Sequence, residues 1–208
     1  MRQVLDIDPR LGYIDQEESS IFPSIVTLSG EIDEEVSTNF RRQLEAAEAI
    51  AGCSKQGVIP ICIDSYGGDV YAMMSIIDAI DACRIPVATI VEGKAMSAAA
   101  TIFSCGTPGF RFMGPSATLM IHRAQTGSKG NTETLESDYR EIKRMDDLDL
   151  MRLAKNAGKQ KKFFLSMIRK VGNSDVFLDA KRCKELGITD HIRIPTFRTV
   201  IKLYHEFS

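Results

Sequence analysis

The sequence predicts an α/β fold, and two observations carry that reading. Three times in succession a short apolar, β-branched run ends in a glycine-containing turn and passes into a helical stripe, first at residues 25–28, then 58–63, then 87–91. Successive β–turn–α units imply right-handed crossovers and an α/β arrangement. The 208 residues, 44% of them hydrophobic, also suffice for one medium domain with a full core.

The first strand, at 25–28, closes at Ser29-Gly30, and a helix from about Asp33 carries Val36, Phe40, Leu44 and Ala47 on one stripe. The second strand contains Pro60, which points to an edge position. Asp64-Ser-Tyr-Gly-Gly-Asp69 then reads as a tight turn into a helix bearing Met73, Ile76, Ile77 and Ile80. The third strand, 87–91, is broken by Glu92-Gly93-Lys94, with Gly93 supplying a positive φ and a helix running from Ala95 to a stop at Gly106. Residues 110–113 and 117–122 follow as two short strands, the second closed by His122. A loose hairpin flanked by Gly127 and Gly130 leads to a long charged helix over about 132–157. Its apolar stripe is Leu135, Tyr139, Ile142, Met145 and Leu148, which suits an arm against a neighbouring subunit. A helix over about 159–171 ends at Gly172, and a loop containing Asp175 leads to a short helix capped by Asp179 and ended by Gly187. Residues 191–208 read as a strand or tail, and 1–22 as a flexible or partner-contacting segment.

Composition removes several function classes. With 26 basic and 28 acidic residues and no basic patch interleaved with aromatics, nucleic-acid binding has no support. Cys53, Cys62, Cys83, Cys105 and Cys183 form no C-x-x-C pair and read as reduced thiols of a cytosol-like compartment. The charged N-terminus is unlike a signal peptide, and no run approaches the ~18 apolar residues of a membrane span. The expectation is a soluble intracellular protein.

One arrangement could carry chemistry. Ser97 falls at a helix start, where unpaired N–H groups and the helix dipole stabilise negative oxygen, although a lone serine there is usually only a cap. A nucleophilic serine needs an imidazole to take its proton, a carboxylate to orient the imidazole, and two N–H donors for the oxyanion. Ser97, His122, Asp175 and the N–H groups of Gly68 and Ala98 supply these parts. Asp138, Asp146 and Asp190 compete for the carboxylate role.

Five stretches, Leu28-Ser-Gly-Glu-Ile-Asp33, Ile63-Asp-Ser-Tyr-Gly-Gly68, Gly93-Lys-Ala-Met-Ser-Ala98, Met120-Ile-His122 and Asp175-Val-Phe-Leu-Asp-Ala180 with Glu185-Leu-Gly-Ile-Thr-Asp190, together resemble the caseinolytic protease (ClpP) family. The resemblance runs in family order over about residues 25–190. It implies a ClpP/crotonase-like spiral of repeated β-β-α units with a protruding handle helix, built as one peptidase domain over 1–208. Within it, 1–22 would be the N-terminal pore segment, and about 125–157 the handle hairpin and helix. It implies Ser97 as nucleophile, His122 as base, Asp175 as orienting carboxylate, and Gly68 and Ala98 as oxyanion donors. Gln125, Thr126 and Gly127 would pair with an extended polypeptide substrate. It further implies stacked heptameric rings in a tetradecamer, an ATP-driven AAA+ unfoldase as partner, no metal or other cofactor, and residence in cytoplasm, an organelle's stroma or matrix, or a phage host.

The sequence also departs from the family pattern. Tyr66 and Ala99 replace a proline and a glycine beside the oxyanion donors, which points to altered substrate preference. Arg123-Ala124 replaces Gln-Pro, and Ser174 replaces an arginine of the inter-ring ion pair. Pro60 and Cys62 stand where the unfoldase pocket carries aromatics, whereas Phe112 is kept. The weighed alternatives are a catalytically silent or dormant ring subunit, a crotonase-type acyl-CoA enzyme, and a serine–lysine peptidase using Lys94.

Overall fold

The structure is a computed structural model describing residues 24–54, 57–125, 127, 129–172 and 174–196. The expected N-terminal segment 1–22, Thr126, Asn173 and residues 197–208 lie outside the described residues. In chain order the elements are β1 (Val26–Ile32), α1 (Glu34–Ser54), β2 (Ile59–Gly68), α2 (Val70–Ala82), β3 (Val87–Met96) and α3 (Ala98–Ser104). Then come β4 (Arg111–Met113), β5 (Thr118–Ile121), α4 (Thr132–Asn156), α5 (Phe163–Lys170), β6 (Val176–Asp179), α6 (Ala180–Leu186) and β7 (His191–Ile192).

This is the expected α/β architecture. β1, β2 and β3 are parallel neighbours, continued by β4 and β7. β3 is shared between two partners: Thr89–Val91 pairs with Arg111–Met113 of β4, and Lys94–Met96 pairs with Thr118–Met120 of β5. β6 then joins β5 antiparallel. Every residue of α3 is buried, packed against β2, β3, α2 and α4. Alanine at 98, 99 and 100 lets the helix come close to the sheet.

Several local expectations are corrected. Residues 64–68 are not a tight turn; β2 runs on through Gly68, and Asp69 caps α2 by accepting from the Ala72 N–H. Likewise β3 does not break at Glu92-Gly93-Lys94, and Gly93 has no positive φ. The ladder steps from Ile63↔Val91 to Ser65↔Ala95, so β3 takes two extra residues there, a bulge rather than a turn. A Cβ at Gly93 would lie 2.9 Å from Asp64 Oδ1, so glycine there leaves room for that carboxylate. Pairing on both sides overrides the weak strand preference of Ala95 and Met96, so α3 begins at Ala98, not Ala95.

Pro60 is buried inside the sheet rather than at its edge, because β2 lies between β1 and β3. The Ile59 N–H bonds toward the β3 side, at the Pro86 carbonyl, so the N–H that Pro60 lacks would point toward β1. The β1 ladder begins only at Val26↔Ile61, so no bond is lost. The loop expected after Asp175 is strand β6, which β5 recruits. Gly158, at φ 66, separates α4 from α5, which starts at Phe163 rather than Lys159.

The apolar stripe of α4 is not absorbed by this chain's own core. Leu135 and Tyr139 are exposed (42% and 66%), and of the expected five only Met145 is buried. Inward packing falls to Leu150, Leu153 and Ala154 in the second half. The first half is largely exposed and is tied to α2 by the Tyr71 hydroxyl donating to Glu141 at 2.9 Å. No helix among the described residues is long and apolar enough to cross a membrane.

One buried ion pair ties the C-terminal elements together. Arg111 is 7% exposed; its Nε and Nη2 donate to Asp190 at 2.9 and 2.7 Å, and its Nη1 donates to the Asn156 and Gly187 carbonyls. Asp190 is therefore occupied, not available to His122. Burial pushes the Asp190 carboxyl up, but hydrogen bonds from Arg111 prevail and hold it below its ordinary value. A depressed carboxylate stabilises the fold above its unfolded pKa of about 4, and that contribution is lost as pH falls through the folded value. Arg111→Leu should cost about 3 kcal/mol at pH 7 in urea unfolding, because it strands Asp190 and two carbonyls. The deficit relative to wild type should shrink below about pH 4 as Asp190 protonates.

Candidate active site

Ser97 sits where β3 hands over to α3. Its backbone, at φ 54 and ψ −124, is the only non-glycine positive φ among the described residues. Such a conformation costs on the order of 1–3 kcal/mol and needs surrounding bonds to hold it. Those bonds are the Ser97 N–H to the Met120 carbonyl, 2.8 Å, and the Ala100 N–H to the Ser97 carbonyl, 2.9 Å. The side chain makes no capping bond, so the capping explanation fails. Instead the hydroxyl lies 2.7 Å from His122 Nε2.

His122 and Asp175 are brought together by the β5–β6 ladder. The last pair is Ile121↔Val176, and one step further puts His122 opposite Asp175. The His122 Nδ1 to Asp175 Oδ1 distance is 3.5 Å, ion-pair range but long for a hydrogen bond. With its proton on Nδ1, facing the carboxylate, the imidazole leaves Nε2 free to accept from the serine hydroxyl.

The end of β2 lies beside them. A Cβ on Gly67, where φ is +97, would stand 2.8 Å from Ser97 Cβ and 3.1 Å from the Ala98 nitrogen, so only glycine allows this approach. The Gly67 N–H donates to Ser65 Oγ and the Asp69 N–H to the Ile32 carbonyl. Gly68 lies between these two bonded N–H groups, at the last position of β2. The Ala98 N–H belongs to the first turn of α3, where intrahelical acceptors are missing. The two predicted donors thus come from different elements, the end of β2 and the start of α3.

The competing carboxylates have other work. Asp146, 2% exposed, accepts from Arg123 Nε at 2.9 Å and from the Ala124 N–H at 2.9 Å, fixing the chain just after His122. Asp138 lies on α4, and Asp190 is bound to Arg111. Lys94 donates to Asp64 at 2.7 Å and stacks over the Tyr66 ring at 4.3 Å. The hydrogen bond to Asp64 raises its pKa, the opposite of what a serine–lysine pair needs. Gln125 and Gly127 are exposed in non-strand backbone after His122; Thr126 lies outside the described residues.

Three supports were not assigned roles from sequence. Ser65 Oγ bridges the Gly30 carbonyl and the Gly67 N–H, the Met120 carbonyl holds Ser97, and Asp146 holds Ala124. Ser65 left a signal as a hydroxyl beside paired glycines, and Asp146 only as a rival for the orienting carboxylate.

The family model described as Clp protease matches residues 16–195. ATP-dependent Clp protease proteolytic subunit 1 of Rhodococcus jostii (strain RHA1) is 33% identical over 169 residues, covering 81% of this chain and 74% of the relative. Proteolytic subunit 2 of Corynebacterium jeikeium (strain K411) is also 33% identical over 169 residues, covering 81% of this chain and 78% of the relative. A family match over most of the chain, together with relatives one-third identical over 81% of it, means that this chain belongs to the Clp protease family.

Proposed function

We propose that the chain is a ClpP-type serine endopeptidase that cuts unfolded polypeptides to short peptides within a ring-shaped oligomer. The observation that carries this reading is the 2.7 Å contact between Ser97 Oγ and His122 Nε2 on a strained backbone. In this reading Ser97 Oγ attacks the scissile carbonyl while His122 takes its proton. The Gly68 and Ala98 N–H groups receive the oxyanion, and removing such a donor typically costs a factor of about 10²–10³. His122 then gives the proton to the leaving amine, water hydrolyses the acyl-serine, and Asp175 holds the imidazole tautomer. Gln125, Thr126 and Gly127 form the edge along which an extended substrate pairs.

The exposed first half of α4 supports an assembly, proposed as stacked heptameric rings of this chain. Partnership with an ATP-dependent unfoldase is suggested by the family and by the names of the relatives. Phe112, kept from the family's docking pocket, is only 7% exposed, stacked on His191 at 4.8 Å and packed with Ala88 and Ile90, and Pro60 and Cys62 on β2 stand in place of the family's aromatics. We extend the reading to residence in the cytoplasm or an equivalent compartment. A dormant subunit is the second reading, favoured by the 3.5 Å separation of His122 and Asp175 and by Asp175's 46% exposure.

Ser97→Ala should abolish hydrolysis of fluorogenic peptides and labelling by a fluorophosphonate while leaving assembly intact; undiminished turnover would refute the assignment. Asp175→Asn should lower kcat by about 10²–10⁴-fold. Absence of labelling in a wild-type particle that still assembles would favour the dormant subunit. Sedimentation should show a species far above 23.1 kDa, and Leu135→Glu with Tyr139→Glu should shift it to smaller species. A wild-type monomer would refute the arm.

A further inference from the structure

Beside the serine lies a small cavity, about 20 Å³, that touches Ser97, Ala98 and His122 and has Asp146 and Asp149 in its wall. That volume holds about one water, or the tip of one short side chain. Because the cavity touches both Ser97 and His122, a residue whose carbonyl is attacked by Ser97 has it within side-chain reach.

Its chemistry is unusual for a pocket in an apolar surround. Asp146 is fully engaged by Arg123 and the Ala124 N–H. Asp149 is not: one carboxyl oxygen takes a hydrogen bond from Thr101, while Oδ1 is buried without a partner. Burial pushes this carboxyl up to about 7, with the Thr101 bond opposing and Asp146 adding to the rise. A buried polar atom without a partner is costly, so a ligand that satisfies it is preferred over one of the same shape that cannot. An aliphatic side chain would bury Oδ1 permanently; a hydroxyl would pair with it.

We propose that Asp149 is a specificity-determining residue, selecting polypeptides in which the residue before the cleaved bond is a short hydroxyl-bearing one, serine or threonine, over its apolar isostere. This rests on the peptidase reading above. The test uses the full-length protein and internally quenched peptides that differ only at that residue, threonine against valine and serine against alanine. Wild type should prefer the hydroxyl member in kcat/KM by about tenfold. Asp149→Asn, which keeps a hydrogen-bonding end, should retain the preference, and Asp149→Leu should erase or reverse it. Equal wild-type rates for threonine and valine would overturn the proposal, as would an undiminished preference in a folded Asp149→Leu. If Asp149→Leu does not fold, the wild-type pair decides alone. No cleavage of any peptide together with no fluorophosphonate label at Ser97 would overturn the peptidase reading, and the proposal with it; label and cleavage without preference would overturn the proposal only.

Discussion

The forked pairing of β3 is the constraint on which the rest of this molecule depends. The first half of the strand belongs to the main sheet through β4, and the second half belongs to β5. Because β5 then recruits β6, the ends of β2, β3 and β5 and the start of β6 converge on one spot. Each contributes one group: a glycine N–H, the serine, the histidine and the carboxylate. Side chains on strand ends are set by ladder hydrogen bonds, and that makes them more precise than loop residues would be.

The same fork accounts for where strain is stored. Ser97 departs from ordinary backbone geometry only because the Met120 carbonyl on one side and α3 on the other hold it. α3 in turn is fixed by burial of its whole length, so the strain is borne by the core rather than by a flexible loop. Gly67 lies so close on the far side that a Cβ there would stand 2.8 Å from Ser97 Cβ. The same placement sets the serine hydroxyl 2.7 Å from the imidazole at the N-terminal end of α3.

Much of this was legible in the sequence, and the gaps have physical reasons. The helical stripes on α1 and α2 were plain because their apolar residues face one core, as Phe40, Leu44, Met73 and Ile76 do. Ser97, His122 and Asp175 were legible as candidates through motif and resemblance, and the register of β5 against β6 explains why residues so distant meet. Strand ends were misread at Gly68 and Gly93 because a glycine in a bulge and a glycine in a turn look alike until the partner strand is known. Pro60 misled for a similar reason, since its missing N–H faces a position that β1 has not yet reached. Asp149 was invisible as anything but a charge on a helix; only the packing of α4 on α3 gives it a cavity.

The most direct test of the central claim is the structure of the assembled protein after reaction with a peptide boronate. The account predicts a bond from Ser97 Oγ to boron, one boronate oxygen within about 3 Å of both the Gly68 and Ala98 N–H groups, and His122 drawn to hydrogen-bond distance of Asp175. A boronate bound elsewhere, or bound at Ser97 with its oxygen turned away from both N–H groups, would contradict it.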